Sequence, residues 1–227
     1  MKARDDLRST LGNESVYLEL TGASGTGKSS LLNDVIADLD RHHFQPVYLS
    51  SSGTSLTNVA RFLAGAVRVR PKFTHLETVQ SLIDVLTTQP AKLVVFIDEA
   101  DRVEARALHE LRVLAECHRP GHQLFSVVLS GLPVLRENLT IPSLFPLKRR
   151  ISVRATLRGL LQDELRPFLS HRFAADADRV PVEADDALFE RTRAIPGVID
   201  QVVRNALRAR EGELYVDDID ASLDLFA

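Results

Sequence analysis

The 227-residue sequence predicts an α/β fold, a five-stranded parallel sheet followed by a small α-helical lid. Through the first two thirds, apolar runs bounded by turn residues alternate with helical periodicity, the pattern of strands and crossover helices in a parallel sheet. The runs 93–97 (LVVFI) and 124–129 (LFSVVL) are dense in Val, Ile, Leu and Phe, as central strands buried on both faces are. After about residue 156 the strand signals stop and only helical patterns follow.

Taken in order, the strands are expected at 16–21, 46–50, 93–97, 124–129 and about 151–154. Helices are expected between them at 28–42, 55–67, 75–88, 104–118 and 132–138. The lid patterns lie at 159–174, 184–193 and 196–210, with a last short helix over 217–225 that Asp217 and Asp218 open, where negative charge complements the helix dipole. The expected division is an α/β domain over 1–155 and a helical lid over 156–227.

With 44% hydrophobic and 26% charged residues the chain can bury a full core, which excludes wholesale disorder. The segment MKARDDLRST mixes charges of both signs without an apolar run, so neither a signal peptide nor an anchor is expected, and no stretch is long enough to insert in a membrane. A single cysteine, Cys117, allows no intrachain disulfide and points to the cytoplasm. A net charge of −3 argues against coating nucleic acid through overall positive charge. Two local basic clusters stand out, Arg68, Arg70 and Lys72, and Lys148, Arg149 and Arg150.

Gly22-Ala23-Ser24-Gly25-Thr26-Gly27-Lys28-Ser29 matches G-x-x-x-x-G-K-[ST] at every fixed position, directly after an expected strand and at the start of an expected helix. In that context glycines let backbone N–H groups approach phosphates, Lys28 reaches the β and γ oxygens, Ser29 ligates magnesium, and Ser30 continues the cradle. Asp98-Glu99 ends the buried run 93–97, where a carboxylate completes the magnesium shell. Asp98 is expected to hold the metal, and Glu99 either activates the attacking water or caps a helix while pairing with Arg102. Ser130 ends the next buried strand and either contacts the γ-phosphate or lytic water or is a turn residue. No Asn-Lys-x-Asp sequence selects guanine, so Mg-ATP is the expected substrate. Arg149 and Arg150, between the fourth and fifth strands, are candidates for an arginine finger acting on a neighbour's γ-phosphate, against the reading of ordinary surface arginines.

Beyond these motifs, the runs Leu129-Ser130-Gly131-Leu132-Pro133-Val134-Leu135, Arg150-Ile151, Leu160-Leu161-Gln162-Asp163-Glu164 and Ile195–Val203 resemble one branch of the AAA+ ATPases. The branch joins transposon target selectors of the MuB, TniB and TnsC type to ExeA-type ATPases associated with general secretion, and the resemblance spans about residues 14–225. Where many AAA+ lids carry a nucleotide-sensing arginine this chain has Gly197, with Arg193 or Arg204 as substitutes. Asp200 stands where the secretion branch more often has Asn, which leans the resemblance toward the selectors. It implies a homo-oligomer, ring or helical filament, that binds duplex DNA with ATP and recruits or activates a transposase or adaptor. The alternative it implies is an ATPase assisting assembly of a secretion or envelope complex. Arg68, Arg70 and Lys72 are the expected DNA contacts, through phosphates and with little sequence preference.

Overall fold

The computed structural model describes residues 2–11, 15–50, 59–117 and 123–225. Its internal contacts divide the chain into two compact units, Met1–Gly22 with Lys28–Thr156, and Ala23–Gly27 with Leu157–Ala227. The first unit runs α1 (Lys2–Leu11), β1 (Tyr17–Gly22), α2 (Lys28–Asp38), β2 (Phe44–Ser50), α3 (Val59–Ala66), α4 (His75–Thr88) and β3 (Lys92–Asp98). A 3-10 turn (Ala100–Arg102), α5 (Ala105–Glu116), β4 (Ser126–Gly131), α6 (Val134–Asn138), α7 (Phe145–Lys148) and β5 (Ile151–Leu157) follow.

The five strands form one parallel sheet in the order β2-β3-β4-β1-β5. The apolar runs of β3 and β4 lie near its centre because helices cover both faces there, leaving no polar side for alternation to mark. Val94, Val95, Phe96 and Ile97 of β3 and Val127, Val128 and Leu129 of β4 are all buried. Burial of a side chain such as Phe96 is worth on the order of 2 kcal/mol. The register pairs Leu20 with Ser130, Ile97 with Leu129, and Ser50 with Asp98. Gly22, Asp98 and Ser130 are thereby brought to one edge, where the parallel strands end.

Local chemistry sets the helix limits. Thr74 caps α4 by accepting from the Glu77 amide at 3.2 Å while Glu77 accepts from the Thr74 amide at 3.2 Å, so the helix begins at His75, where the sequence places it. The pattern over 28–42 overruns α2, because Asp40 accepts from the His42 amide at 2.9 Å through its side chain and from the Phe44 amide at 2.8 Å through its carbonyl. That side-chain turn competes with the helix and ends it at Asp38. Helix α1 is not signalled by an apolar run; two buried leucines four residues apart, Leu7 and Leu11, hold it, with Arg4 paired to Asp38 of α2. The expected helix over 55–67 is seen as Val59–Ala66, its start lying outside the described residues, as does the last residue of the one expected over 104–118. After α5, Cys117 is exposed.

The second unit contains the loop Ala23–Gly27, α8 (Gln162–Phe173), two 3-10 segments (Ala174–Arg179 and Val182–Ala184), α9 (Asp185–Arg191), α10 (Pro196–Ala209) and α11 (Val216–Asp224). Proline begins α10, where its missing N–H would lack a helical partner anyway. Ile199, Val202, Val203 and Ala206 then form the apolar stripe that packs on Leu165, Leu169, Leu188, Ile219 and Leu223. Asp218 accepts from the Tyr215 amide at 2.8 Å and so tightens the first turn of α11.

Candidate functional site

Gly22 closes β1 and Lys28 opens α2, so the loop between them delivers a helix N-terminus to the end of a buried strand. Gly25 and Gly27 have φ of 79° and 92°, left-handed values open to glycine without strain. Thr26 is buried, and its hydroxyl donates to the Ala23 carbonyl at 2.9 Å, which ties the loop to itself. Ala23, Ser24 and Gly25 are exposed, as are Ser29 and Ser30 in the first turn of α2. Lys28 donates to the Gly22 carbonyl at 2.9 Å. Burial lowers its pKa, with the carboxylates of Asp98, Asp101 and Glu99 pulling the other way.

Asp98 is the centre of a dense set of hydrogen bonds. Its Oδ2 accepts from the Ser29 hydroxyl at 2.5 Å and the Tyr48 phenol at 2.8 Å, and its Oδ1 from the Ser130 hydroxyl at 3.0 Å and the Glu99 amide at 3.0 Å. Burial pushes the carboxyl upward, but these donors outweigh it and hold its pKa below the ordinary 3.8. The group is therefore a preformed anion at neutral pH. Ser130 is fully buried and spends its hydroxyl on Asp98.

Tyr48 is the residue that motif reading missed. It is 40% exposed, and burial together with Asp98 pushes its phenol up to about 12. Only the parallel register of β2 on β3 brings its side chain to Asp98; in the sequence it is one aromatic in an ordinary strand.

Glu99 has a φ of 52°, a left-handed backbone value that costs a non-glycine residue on the order of 1 kcal/mol. Its carboxylate lies 3.5 Å from Arg102, so the pairing weighed from the sequence does form. Beyond it, Asp101 accepts from the Leu132 amide at 2.8 Å, and a Cβ on Gly131 would stand 2.5 Å from the Asp101 carboxylate. Glycine at 131 thus allows the turn after β3 to dock on the end of β4.

In the second unit the Gly197 amide donates to the Gly25 carbonyl at 2.9 Å. A Cβ at 197 would lie 2.9 Å from Gly25 Cα and 3.0 Å from its carbonyl oxygen. Backbone meets backbone here, which leaves no room for a side chain at 197. Of the two substitutes, Arg204 is held by Asp200 at 2.9 Å and lies 5.6 Å from the Phe173 ring, while Arg193 is exposed.

The remaining candidates separate by their partners. Arg150 pairs with Glu116 at 2.5 Å, and Glu116 also holds Arg112 and the Tyr17 hydroxyl. Arg149 is exposed and has no ion pair among the described residues. Arg68, Arg70 and Lys72 are exposed in the connection between α3 and α4, likewise without ion pairs among the described residues. Next to them Phe73 is 99% exposed, a feature the charge pattern did not single out.

The sequence profile of the AAA domain matches residues 15–139, just over half of the chain. The chain belongs to the AAA-domain family. This AAA ATPase is 27% identical over 200 residues to general secretion pathway protein A of Aeromonas hydrophila, an alignment covering 85% of the chain and 37% of that protein. It thus spans well under half of that relative's length. The fold is that of the Aeropyrum pernix ORC2 protein in its ADPNP–ADP complexes, with a TM-score of 0.71 at 15% identity over 99% of this chain and 67% of that one. The Aeropyrum pernix ORC1 protein in complex with DNA superposes with a TM-score of 0.67 at 20% identity, over 99% of this chain and 65% of that one.

The residues of this AAA domain suit magnesium. Ser29 and Asp98 offer hard oxygen donors already 2.5 Å apart, one of them anionic. No group of three or more His, Cys, Asp or Glu able to hold a metal occurs among the described residues. Among the described residues no helix is long and apolar enough to cross a membrane.

Proposed function

We propose that the chain hydrolyses ATP within an assembly of its own copies, ring or helical filament, and that this assembly binds duplex DNA as a transposition target selector that recruits or activates a transposase. Residues 1–155 serve as the nucleotide-binding domain and 156–227 as a lid. The backbone of Gly22–Gly27, with Lys28, Ser29 and Ser30, takes the phosphates; Ser29 and Asp98 hold magnesium. Bound there, magnesium neutralises charge on the β- and γ-phosphates. Glu99 accepts the proton of the water whose oxygen bonds to the γ-phosphorus as the bond to the β-phosphate oxygen breaks. Tyr48 and Ser130 fix the Asp98 carboxylate. A neighbour's Arg149 supplies positive charge to the transferring group, since Arg150 is already engaged with Glu116.

The observation that carries the DNA reading is the loop after α3, with three exposed cations that form no ion pair among the described residues, beside a wholly exposed Phe73. Cations take the phosphates of a duplex, and an exposed apolar ring can wedge between its base steps, a combination suited to nucleic acid. The likeness to a fold solved in complex with DNA supports it. Electron microscopy with a slowly hydrolysed ATP analogue, with and without duplex, tests it, together with salt-dependent binding by a variant carrying Arg68→Ala, Arg70→Ala and Lys72→Ala. Absence of nucleotide-dependent particles on DNA, or undiminished binding by the triple variant, counts against it.

A second reading, an ATPase assisting assembly of a secretion or envelope complex, is favoured by the similarity to general secretion pathway protein A. It predicts ATP-dependent assembly indifferent to DNA. Under either reading Glu99→Gln should lower turnover about 100-fold or more while leaving nucleotide binding intact; unchanged turnover would remove Glu99 as the base.

A further inference from the structure

Glu19 sits in the middle of β1 with its side chain only 2% exposed. Burying a carboxylate in a central strand is costly unless it is paired, and Arg136 of α6 pairs with it directly while Arg154 of β5 stands 3.6 Å away. One arginine would answer one carboxylate. Here Arg136, Arg154 and Lys148 line the same open cavity of about 490 Å³ with Glu19 and Thr156, and Lys148 has no ion pair among the described residues. Three cations against one carboxylate leave the lining with a surplus of two positive charges.

The two guanidinium groups are also held in place. Arg136 donates to the Thr156 hydroxyl at 2.9 Å as well as binding Glu19, and Arg154 donates to the Lys148 carbonyl at 2.8 Å. Side chains fixed before a ligand arrives lose less entropy on binding it, and planar guanidinium groups match tetrahedral oxyanions well. The cavity volume falls within the range usual for small-molecule sites, roughly 300–1,000 Å³.

We propose that this cavity is a binding site for a phosphate monoester dianion, separate from the ATP phosphates. Glu19 precedes Gly22 by three residues, roughly 10 Å of strand, and none of the lining residues belongs to the nucleotide motif. The surplus of two charges selects the class of ligand. A phosphate monoester carries about −1.5 to −2 at neutral pH, whereas each phosphodiester of a nucleic acid backbone carries one negative charge. Glu19 lowers the local charge as well as orienting the arginines, so it sets an upper limit on affinity that its neutral isostere would lift.

The test is calorimetric titration of inorganic phosphate into the full chain saturated with a non-hydrolysable ATP analogue and magnesium, so that the γ-phosphate position of the nucleotide site is filled as well. Saturable binding of one phosphate per chain is expected. Lys148→Gln and Arg154→Gln, both at the rim, should each weaken it about tenfold. Glu19→Gln should tighten it, an effect in the opposite direction from the loss of stability that a purely structural ion pair would show; a melting curve on each variant separates the two. No saturable binding, unchanged affinity in both rim variants, or weaker binding by a folded Glu19→Gln protein overturns the proposal. If duplex DNA displaces phosphate and itself loses affinity in the two rim variants, the occupant is a phosphodiester backbone and the monoester assignment fails. The loop after α3 takes no part in these readouts, so failure of the DNA reading is measured separately.

Discussion

Tyr48 and Ser29 donate to the same oxygen of Asp98, at 2.8 and 2.5 Å, so the phenol steadies from one side the carboxylate that the hydroxyl meets from the other. Tyr48→Phe removes one donor without changing shape. It should cost about 1 kcal/mol of stability. The magnesium needed for half-saturation of nucleotide binding should rise on the order of tenfold, as loss of a partner behind a metal ligand typically produces. A magnesium titration with a fluorescent nucleotide analogue reads this directly, and an unchanged requirement would show that Tyr48 merely packs beside the site.

Arg149 and Arg150 adjoin in sequence but should respond differently. Arg149→Ala is expected to lower kcat on the order of 10³-fold in assembled protein, with nucleotide binding intact. Arg150→Ala should mainly cost stability, roughly 0.5–1 kcal/mol, because it releases a partly exposed pair with Glu116. ATPase rates over a range of protein concentrations and thermal melts distinguish the two; equal loss of turnover in both variants would contradict the division.

Gly197→Ala tests the close approach of α10 to the loop Ala23–Gly27 within the second unit. Its Cβ would enter at 2.9 Å from Gly25 Cα, so backbone must shift. A destabilisation of about 1–3 kcal/mol and weaker ATP binding are expected. A neutral result in both denaturation and binding would mean the contact is readily relaxed.

Asp200 accepts from Arg172 at 2.6 Å and from Arg204 at 2.9 Å. Burial raises its pKa, but those two pairings bring it below 3.8. A depressed carboxyl stabilises the fold fully above its unfolded value and loses that contribution as the pH falls through the folded one. Asp200→Asn should therefore cost about 1 kcal/mol at neutral pH, with the gap to the parent closing as the pH drops below about 3.8. Denaturant melts across that range check the sign.

How much the sequence discloses depends on how local the determining contacts are. The loop 22–29 and the Asp98-Glu99 pair stand out in the sequence because a short run of residues carries both the backbone demands and the chemistry. The apolar runs of β3 and β4 were legible because burial on both faces leaves no other composition. The role of Tyr48 was not, since it depends on a register between strands some fifty residues apart, Tyr48 opposite Phe96. The arginine pair divided only once Glu116, at the end of α5, was placed beside one member. Glu19 did leave a trace, a lone charge inside the run VYLELT, but nothing in the sequence connects it to Arg136 and Arg154. The limit of α2 was misjudged because helical periodicity ignores the competing turn at Asp40.

The chain's lone thiol, exposed on Cys117, adjoins Glu116, the carboxylate that holds Arg150. Partial burial raises its pKa, so its reactivity grows as the pH rises, and no second thiol competes for the reagent. A dye attached there becomes a reporter already supplied by the native chain. Energy transfer between donor- and acceptor-labelled copies would follow the proposed assembly in real time, with every arginine and loop left as the sequence has it.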